Sequence, residues 1–416
     1  MNNPCKTAVF VALVALLTAG PALTQSPSDQ AASATKAAAP VAYVYVQTQK
    51  GVNVYDTASN GKLTLVAGSP FATSGQMGGI NGSHLISVGT NDLHSYAIES
   101  NGAVGKQASE VNTQSYSGAN CGSTSFNGVS NGALLDHTGK YFYIQLFGAQ
   151  YQQGNTTCAA WQTYRVASNG DLTFLGSSET ENYVDGSAQK STVPTISSND
   201  KFGFGVTGQE YGANVFSPFA ISSDGVLGNT QNFTEKDPKG NPDGDWYYYP
   251  VIYPVVAADP SGHLAALMFS ENGPPFGATG AWQLASYTIN SKGGISSTNT
   301  YADMPAPEVA QTYGGPFLLQ TSTSGKLLAL AAYPGLQLFH FNDASPITTY
   351  GPVLLPKVNI DQLAWDNSNH LYALSYSAQA LYVFTVTPTS TSEVAGSPFK
   401  VTGAYGAEGL IVVPKS

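Results

Sequence analysis

Charge is scarce in this chain of 416 residues: Asp, Glu, Lys and Arg make up 10 % of it, and arginine occurs once, as Arg165. A function built on bidentate recognition of phosphate or carboxylate has little material to work with. The formal net charge of -10 argues against nucleic acid and anionic membrane surfaces as partners. Cysteine is almost missing, with only Cys5, Cys121 and Cys158. No HExxH motif and no Ser/His/Asp arrangement can be read, and no cofactor is expected. Long apolar runs are missing too. Ala8 to Leu17, about ten residues, is too short to span a bilayer as a lasting helix.

That run instead reads as the core of an export signal. Lys6 gives a positive start and small residues follow around Ala19 to Thr24, so residues 1–24 are expected to be removed near Ala22-Leu23-Thr24. Cys5 precedes the run, is not placed as a lipoprotein anchor, and leaves with the signal. Residues 25–40, QSPSDQAASATKAAAP, form an Ala/Ser linker with nothing to bury, expected to be disordered. The mature chain is then periplasmic or extracellular, with no membrane insertion once the signal is gone, and a monomer. In such a compartment the remaining pair, Cys121 and Cys158, reads as a disulfide, the alternative being two buried thiols.

What the chain has in quantity is Gly, Ser, Thr, Asn and Tyr, the composition of short strands joined by tight turns. One unit recurs. Tyr55 sits in an alternating run, and its equivalents are Tyr96, Tyr164, Phe219, Tyr287, Phe339 and Phe384. Two residues beyond each stands Thr57, Ile98, Val166, Ile221, Ile289, Phe341 or Val386. In five copies a turn follows: Asn60-Gly61, Asn101-Gly102, Asn169-Gly170, Asp224-Gly225 and Lys292-Gly293. The copies lie about 41 to 68 residues apart, the period of a four-stranded propeller blade with insertions.

A second repeat marks an inner turn, from Asn81 to His84, Asp136 to Lys140, Ser198 to Lys201, Asp259 to His263, Ser322 to Lys326 and Asp366 to His370. Asp, Asn and Ser cap such turns through their own backbone. The blades are expected at 41–74, 75–114, 129–184, 190–236, 250–305, 314–357 and 358–403. The first begins one strand late, with VAYVYVQT, while Ala407 to Pro414, AEGLIVVP, has no blade of its own. Pairing the two closes the ring and removes the open edges. The fold is therefore all-β, a seven-bladed β-propeller of four-stranded antiparallel blades over 41–416. Insertions at Phe147 to Ala160 and Ser270 to Ala281 fall between second and third strands, on a rim suited to binding.

In YVYVQTQKGVNVYDTASNGKLTLVAGSPF, DHTGKYFYI, SGKLLALAAYPGLQLFHF and SNHLYALSYSAQALYVFTV, the chain resembles the seven-bladed propellers of the lactonase-like, YVTN-repeat group. The resemblance covers essentially all of 41–416 and lies in strands and turns. It implies the fold. Enzymes of that group include sugar-phosphate lactonases and a muconate-lactonising relative, and many other members are exported proteins with no assigned reaction. The lactone enzymes place arginine, histidine and acidic side chains around the central channel. Here Arg165 falls on an expected third strand, away from the channel, so the resemblance brings no catalytic residues.

Candidate residues remain, each with a plain structural reading beside it. His84, His137, His263 and His370 fall in or next to the inner turn, where one residue type at one repeat position is turn chemistry. His94 and His340 flank the repeat aromatic on third strands. Asp361 and Glu408 stand just ahead of inner strands. They read as a carboxylate pair at the channel mouth, able to share a proton or act as acid and base, or as solvated acids. The segment EKDPKGNPDGDWYYYP, 235–250, carries Asp237, Asp243 and Asp245, oxygen ligands off the spacing of a twelve-residue calcium loop, so no metal is assigned. Its Trp246, Tyr247 and Tyr248, with Tyr253, read as a stacking surface for a sugar or partner chain, or as packing between blades. Trp161 and Trp282 read as inter-blade packing. Two functions follow from different classes: an exported scaffold binding an unidentified ligand, glycan or protein, and a lactone hydrolase working at the channel mouth.

Overall fold

The computed structural model describes residues 39–115, 129–147, 159–179, 195–209, 212–229, 234–241, 246–248, 256–271, 279–309, 318–406 and 409–415. The expected signal, Cys121, Cys158, Asp243, Asp245, Tyr253 and Glu408 lie outside them. The strands group into seven sheets, the blades of a β-propeller.

Blade one takes its inner strand from the C-terminus. Leu410–Pro414 pairs antiparallel with Ala42–Thr48, in register Val46↔Leu410 to Ala42↔Pro414, and Gly51–Thr57 and Leu63–Leu65 complete it. From inner to outer, blade two is Gln76–Ile80, His84–Val88, Asp92–Ile98 and Val104–Asn112, and blade three is Val129–Leu135, Tyr141–Phe147, Ala159–Val166 and Leu172–Glu179. Blade four is Thr195–Ile196, Phe202–Gln209, Gly212–Ile221 and Leu227–Asn229. Blade six is Leu318–Thr321, Leu327–Ala331, Leu336–His340 and Thr348–Leu354. Blade seven is Gln362–Trp365, His370–Ser375, Ala380–Val386 and Thr391–Glu393, with Phe399–Lys400 added on its third strand.

Blade five departs from the expected layout. Its second, third and fourth strands are His263–Glu271, Thr279–Ile289 and Ile295–Ser296. The inner edge of the second strand is shared by two short pieces. Val256–Ala258 pairs with Leu264 to Ala266, and Trp246–Tyr248 pairs with Met268 to Ser270. Glu235–Lys236, expected to end blade four, instead pairs parallel with Ile295–Ser296 at the outer edge of blade five. Glu235–Lys236 and Trp246–Tyr248 therefore pair at opposite edges of this blade.

The cores lie between blades rather than within them. Six buried clusters each join neighbouring blades, and together they cover all seven interfaces. This explains the repeat aromatic. All seven copies fall on third strands and are at most 8 % exposed. Trp161 and Trp282 are buried in the same inter-blade clusters. Burial of this kind is the dominant favourable term in folding.

The outer turn explains the glycines. Gly61, Gly102, Gly170, Gly225 and Gly293 have φ between +79° and +88°, and each donates its N–H to the carbonyl three residues back. An added Cβ would meet the ring of Tyr43 at 2.5 Å for Gly102, of Tyr141 at 2.3 Å for Gly225 and of Phe202 at 2.7 Å for Gly293. Each ring belongs to the second strand of the preceding blade, so glycine is required by backbone and by neighbour alike. At Gly61 and Gly170 the neighbours include His370 and His84, which gives those two histidines a packing role. The hydroxyls of Tyr45 and Tyr143 then donate to the carbonyls of Gly102 and Gly225, both at 2.9 Å.

The inner turns are capped as the sequence pattern implies. One carboxylate oxygen of Asp136, Asp259 and Asp366 accepts two backbone N–H groups in each turn, at 2.7 to 2.9 Å. The hydroxyls of Ser197 and Ser322 accept one each, at 3.1 Å.

Gly102→Ala and Gly351→Ala separate the two demands on glycine. Gly351 has φ +69° and open space around it, so alanine there costs only left-handed strain of about 1–2 kcal/mol. Gly102→Ala adds overlap with Tyr43 worth about 1–3 kcal/mol more. Thermal melting of both variants should show the larger loss at Gly102, and equal losses would remove the inter-blade role given to this turn.

Candidate functional site at the channel mouth

Each blade has one end formed by its inner and outer turns. The other end is formed by the connections into the inner strand and between the second and third strands. Asp361 lies at this second end, immediately before Gln362–Trp365. Its N–H donates to the Leu374 carbonyl at 2.8 Å, which anchors it to the second strand of its own blade. One carboxylate oxygen accepts the Tyr376 N–H at 2.6 Å and the other accepts the Tyr333 hydroxyl.

Tyr333 and Tyr376 occupy corresponding connections of blades six and seven, each six residues beyond the start of its second strand, Leu327 or His370. The Tyr376 hydroxyl donates to the Gly406 carbonyl in the segment leading to the closing strand. Gly409 is held against that hydroxyl so closely that any side chain would collide with it. Gln47 continues the arc into blades one and two. Its N–H donates to Gly409 and its carbonyl accepts from Tyr405, at 3.0 and 3.2 Å. Its side-chain oxygen accepts the Met77 N–H at 3.0 Å. The surroundings of Asp361 thus draw on four blades and are stitched by the segment leading to the closing strand.

Burial raises the proton affinity of the half-buried Asp361 carboxyl, and the hydrogen bond from the Tyr376 N–H only partly opposes this. Such a group can hold a proton, give it up, and act as donor or acceptor. Glu408, its expected companion, lies outside the described residues. Trp246, Tyr247 and Tyr248 form the upper piece of the inner edge of blade five. Asp237 accepts the Tyr287 hydroxyl at 2.8 Å. Arg165 is exposed on the third strand of blade three.

The turn histidines lie at the opposite end. His370 Nδ1 is 2.7 Å from Asp366 Oδ2, where the Tyr372 hydroxyl also donates, at 2.9 Å. Burial pushes the Asp366 carboxyl up, but the hydrogen bonds and charge of His370 outweigh it and hold the carboxyl below its usual range. His263 repeats this geometry with Asp259 at 3.1 Å, and Asp343 lies near enough for the three to converge on a cation. Lys326 already meets Asp343 at 2.7 Å, and both Asp259 oxygens accept hydrogen bonds from the turn. That cluster is a turn lock whose carboxylates already have partners.

Tyr333, Tyr376 and Gln47 were not singled out by the sequence. The two tyrosines share a repeat offset, but aromatics are common along this chain and nothing in spacing alone distinguishes these two.

No family model matches the sequence, and no curated protein matches it. Solved structures do. A candidate 6-phosphogluconolactonase from Bacteroides fragilis is 13 % identical over 89 % of this chain and 98 % of its own, with a TM-score of 0.54. A protein from Lactobacillus plantarum is 12 % identical over 91 % of this chain and 100 % of its own, with a TM-score of 0.56. A periplasmic gluconolactonase from Pseudomonas aeruginosa is 13 % identical over 89 % and 99 %, with a TM-score of 0.49. At this identity the first two likenesses extend to the fold: the chain is a seven-bladed propeller of the shape found in lactonase-like proteins.

Asp361 and Asp366 should respond to charge removal in opposite ways. Asp366 has a lowered carboxyl value, so its contribution is present above the ordinary aspartate value of about 3.9 and is lost as pH falls through the folded value. Asp366→Asn should cost about 3 kcal/mol at neutral pH by breaking a buried pair, and the deficit should shrink in acid. Asp361 has a raised value, so stability is present below the unfolded value and is lost as pH rises through the folded one. Asp361→Asn should therefore melt at or above the native temperature at pH 7. A large loss there would make Asp361 a structural group.

Proposed function

We propose that the protein is an exported binding propeller whose channel mouth, beside Asp361, receives a neutral, hydroxyl-bearing ligand such as a sugar or the end of a glycan. The observation that carries this reading is the half-buried Asp361 carboxyl held between tyrosines of two adjacent blades. A carboxyl at this position accepts hydrogen bonds from hydroxyls, and aromatic side chains suit the faces of sugar rings. The placement of the single arginine favours a neutral ligand over a phosphorylated one.

A second reading, lactone hydrolysis, rests on the same group. A carboxyl with raised proton affinity is suited to activate water as base or to protonate a leaving oxygen as acid, and the fold is shared with lactonase-like proteins. Fold alone does not decide between these, since one architecture hosts many functions.

The purified mature chain and its Asp361→Asn variant should be titrated calorimetrically with neutral mono- and oligosaccharides, and assayed for turnover on neutral and anionic lactones. Saturable sugar binding without lactone turnover, weakened about tenfold in the variant by loss of a carboxyl hydrogen bond, is the expected outcome. Lactone turnover that disappears in the variant would establish the second reading instead. Binding or turnover untouched by the substitution would move the site away from Asp361.

A further inference from the structure

A groove between blades three and four, at the turn end of the propeller and away from Asp361, encloses a cavity of about 560 Å3. That is the size of small-molecule sites. Tyr141, Phe202 and Ile221 give it an apolar wall, and Lys140 and Lys201 border it.

Its polar groups divide sharply into occupied and unoccupied ones. Asp136 is saturated by the Lys140 and Tyr141 N–H groups and the Thr138 hydroxyl. Asp200 accepts from the His137 N–H at 3.1 Å and lies 2.7 Å from His137 Nδ1, which ties the turns of the two blades together. The Tyr143 hydroxyl is bound to Gly225. By contrast, the ammonium groups of Lys140 and Lys201 have no partner among the described residues.

The repeat supplies an internal control. Lys140, Lys201 and Lys326 hold one position: in each blade the lysine carbonyl accepts the N–H of the last third-strand residue or the one just beyond, Val166, Ile221 or Phe341. Two residues further on stand Ser168, Ser223 and Asp343. In blade six Asp343 neutralises Lys326 at 2.7 Å. In blades three and four a serine stands where that acid would be. Two ammonium groups are thus left without a direct ion pair at the rim of a groove that Asp136 and Asp200 also line, their oxygens already engaged by the turns and by His137.

We propose that this groove binds an amphipathic organic anion, with its acidic group between Lys140 and Lys201 and its flat apolar body against Tyr141 and Phe202. This site is independent of the channel mouth. A suitable probe is 2-naphthoate, with 2-naphthamide as the uncharged control, titrated calorimetrically against the native chain, Lys140→Gln/Lys201→Gln, and Ser223→Asp. These substitutions lie on the exposed rim, and each variant should keep the native melting temperature. Saturable binding of 2-naphthoate is expected, falling as salt screens the charges. It should be about tenfold weaker in both variants and for the amide, and unchanged in Asp361→Asn. Absence of saturable binding by the folded native chain would overturn the proposal. So would native affinity in either variant.

Discussion

Everything in this molecule depends on the closing strand. Because each core lies between two blades, no blade can bury its faces without both neighbours. A gap anywhere in the ring would expose two faces and a row of unpaired backbone groups. Pairing of Leu410–Pro414 with Ala42–Thr48 removes that gap. It also does more than close the sheet, since the approach to it places Gly406 and Gly409 against Tyr376 and Gln47. Ring closure and construction of the surroundings of Asp361 are one event.

The two ends of the blades consequently have different chemistry. At the turn end, Asp136, Asp259 and Asp366 each give one oxygen to backbone N–H groups and the other to a side-chain hydroxyl or histidine, and the nearby histidines pair with acids or pack on glycine turns. Satisfied polar groups of this kind rigidify a fold. At the mouth, the connections carry groups whose chemistry the ring does not need. Asp361 is held in place yet carries a desolvation cost that a neutral side chain would avoid, a conflict that suits a site better than a support.

The sequence disclosed the fold well, because its period is physical. The aromatic of each third strand must fill the gap to the next blade, and the glycine of each outer turn must sit at positive φ against a ring, so both recur. The open first blade and the orphan AEGLIVVP were legible as two halves of one sheet. Blade five was not. Its inner edge is divided between Trp246–Tyr248 and Val256–Ala258, pieces separated in the chain, and no local pattern shows that they share a partner strand. Glu235–Lys236 was misplaced for the same reason, since a two-residue parallel pairing leaves no periodicity. Asp361 was singled out as a candidate by its position before an inner strand. Its contacts with Tyr333 and Tyr376 depend on how neighbouring blades meet, which spacing within one blade does not encode.

A repeat protein offers its own controls, and these separate support from site. A residue type that recurs at one position and makes one contact in several blades is there for the fold, as with the capping aspartates, the turn glycines and the paired His263 and His370. A departure from the pattern asks for another cause. In blade two the position of Asp361 is taken by Gly75, which has no room for a side chain beside Val88. Blade seven makes room there and fills it with an acid. Serine stands in blades three and four where blade six has Asp343. Asp361 takes up the Tyr376 N–H of its own blade and the Tyr333 hydroxyl of the neighbouring one, while the serines leave Lys140 and Lys201 without the acid that Lys326 has, beside a cavity. In a chain with so few charges, those placements are the strongest reason to look for ligands at both ends of the propeller.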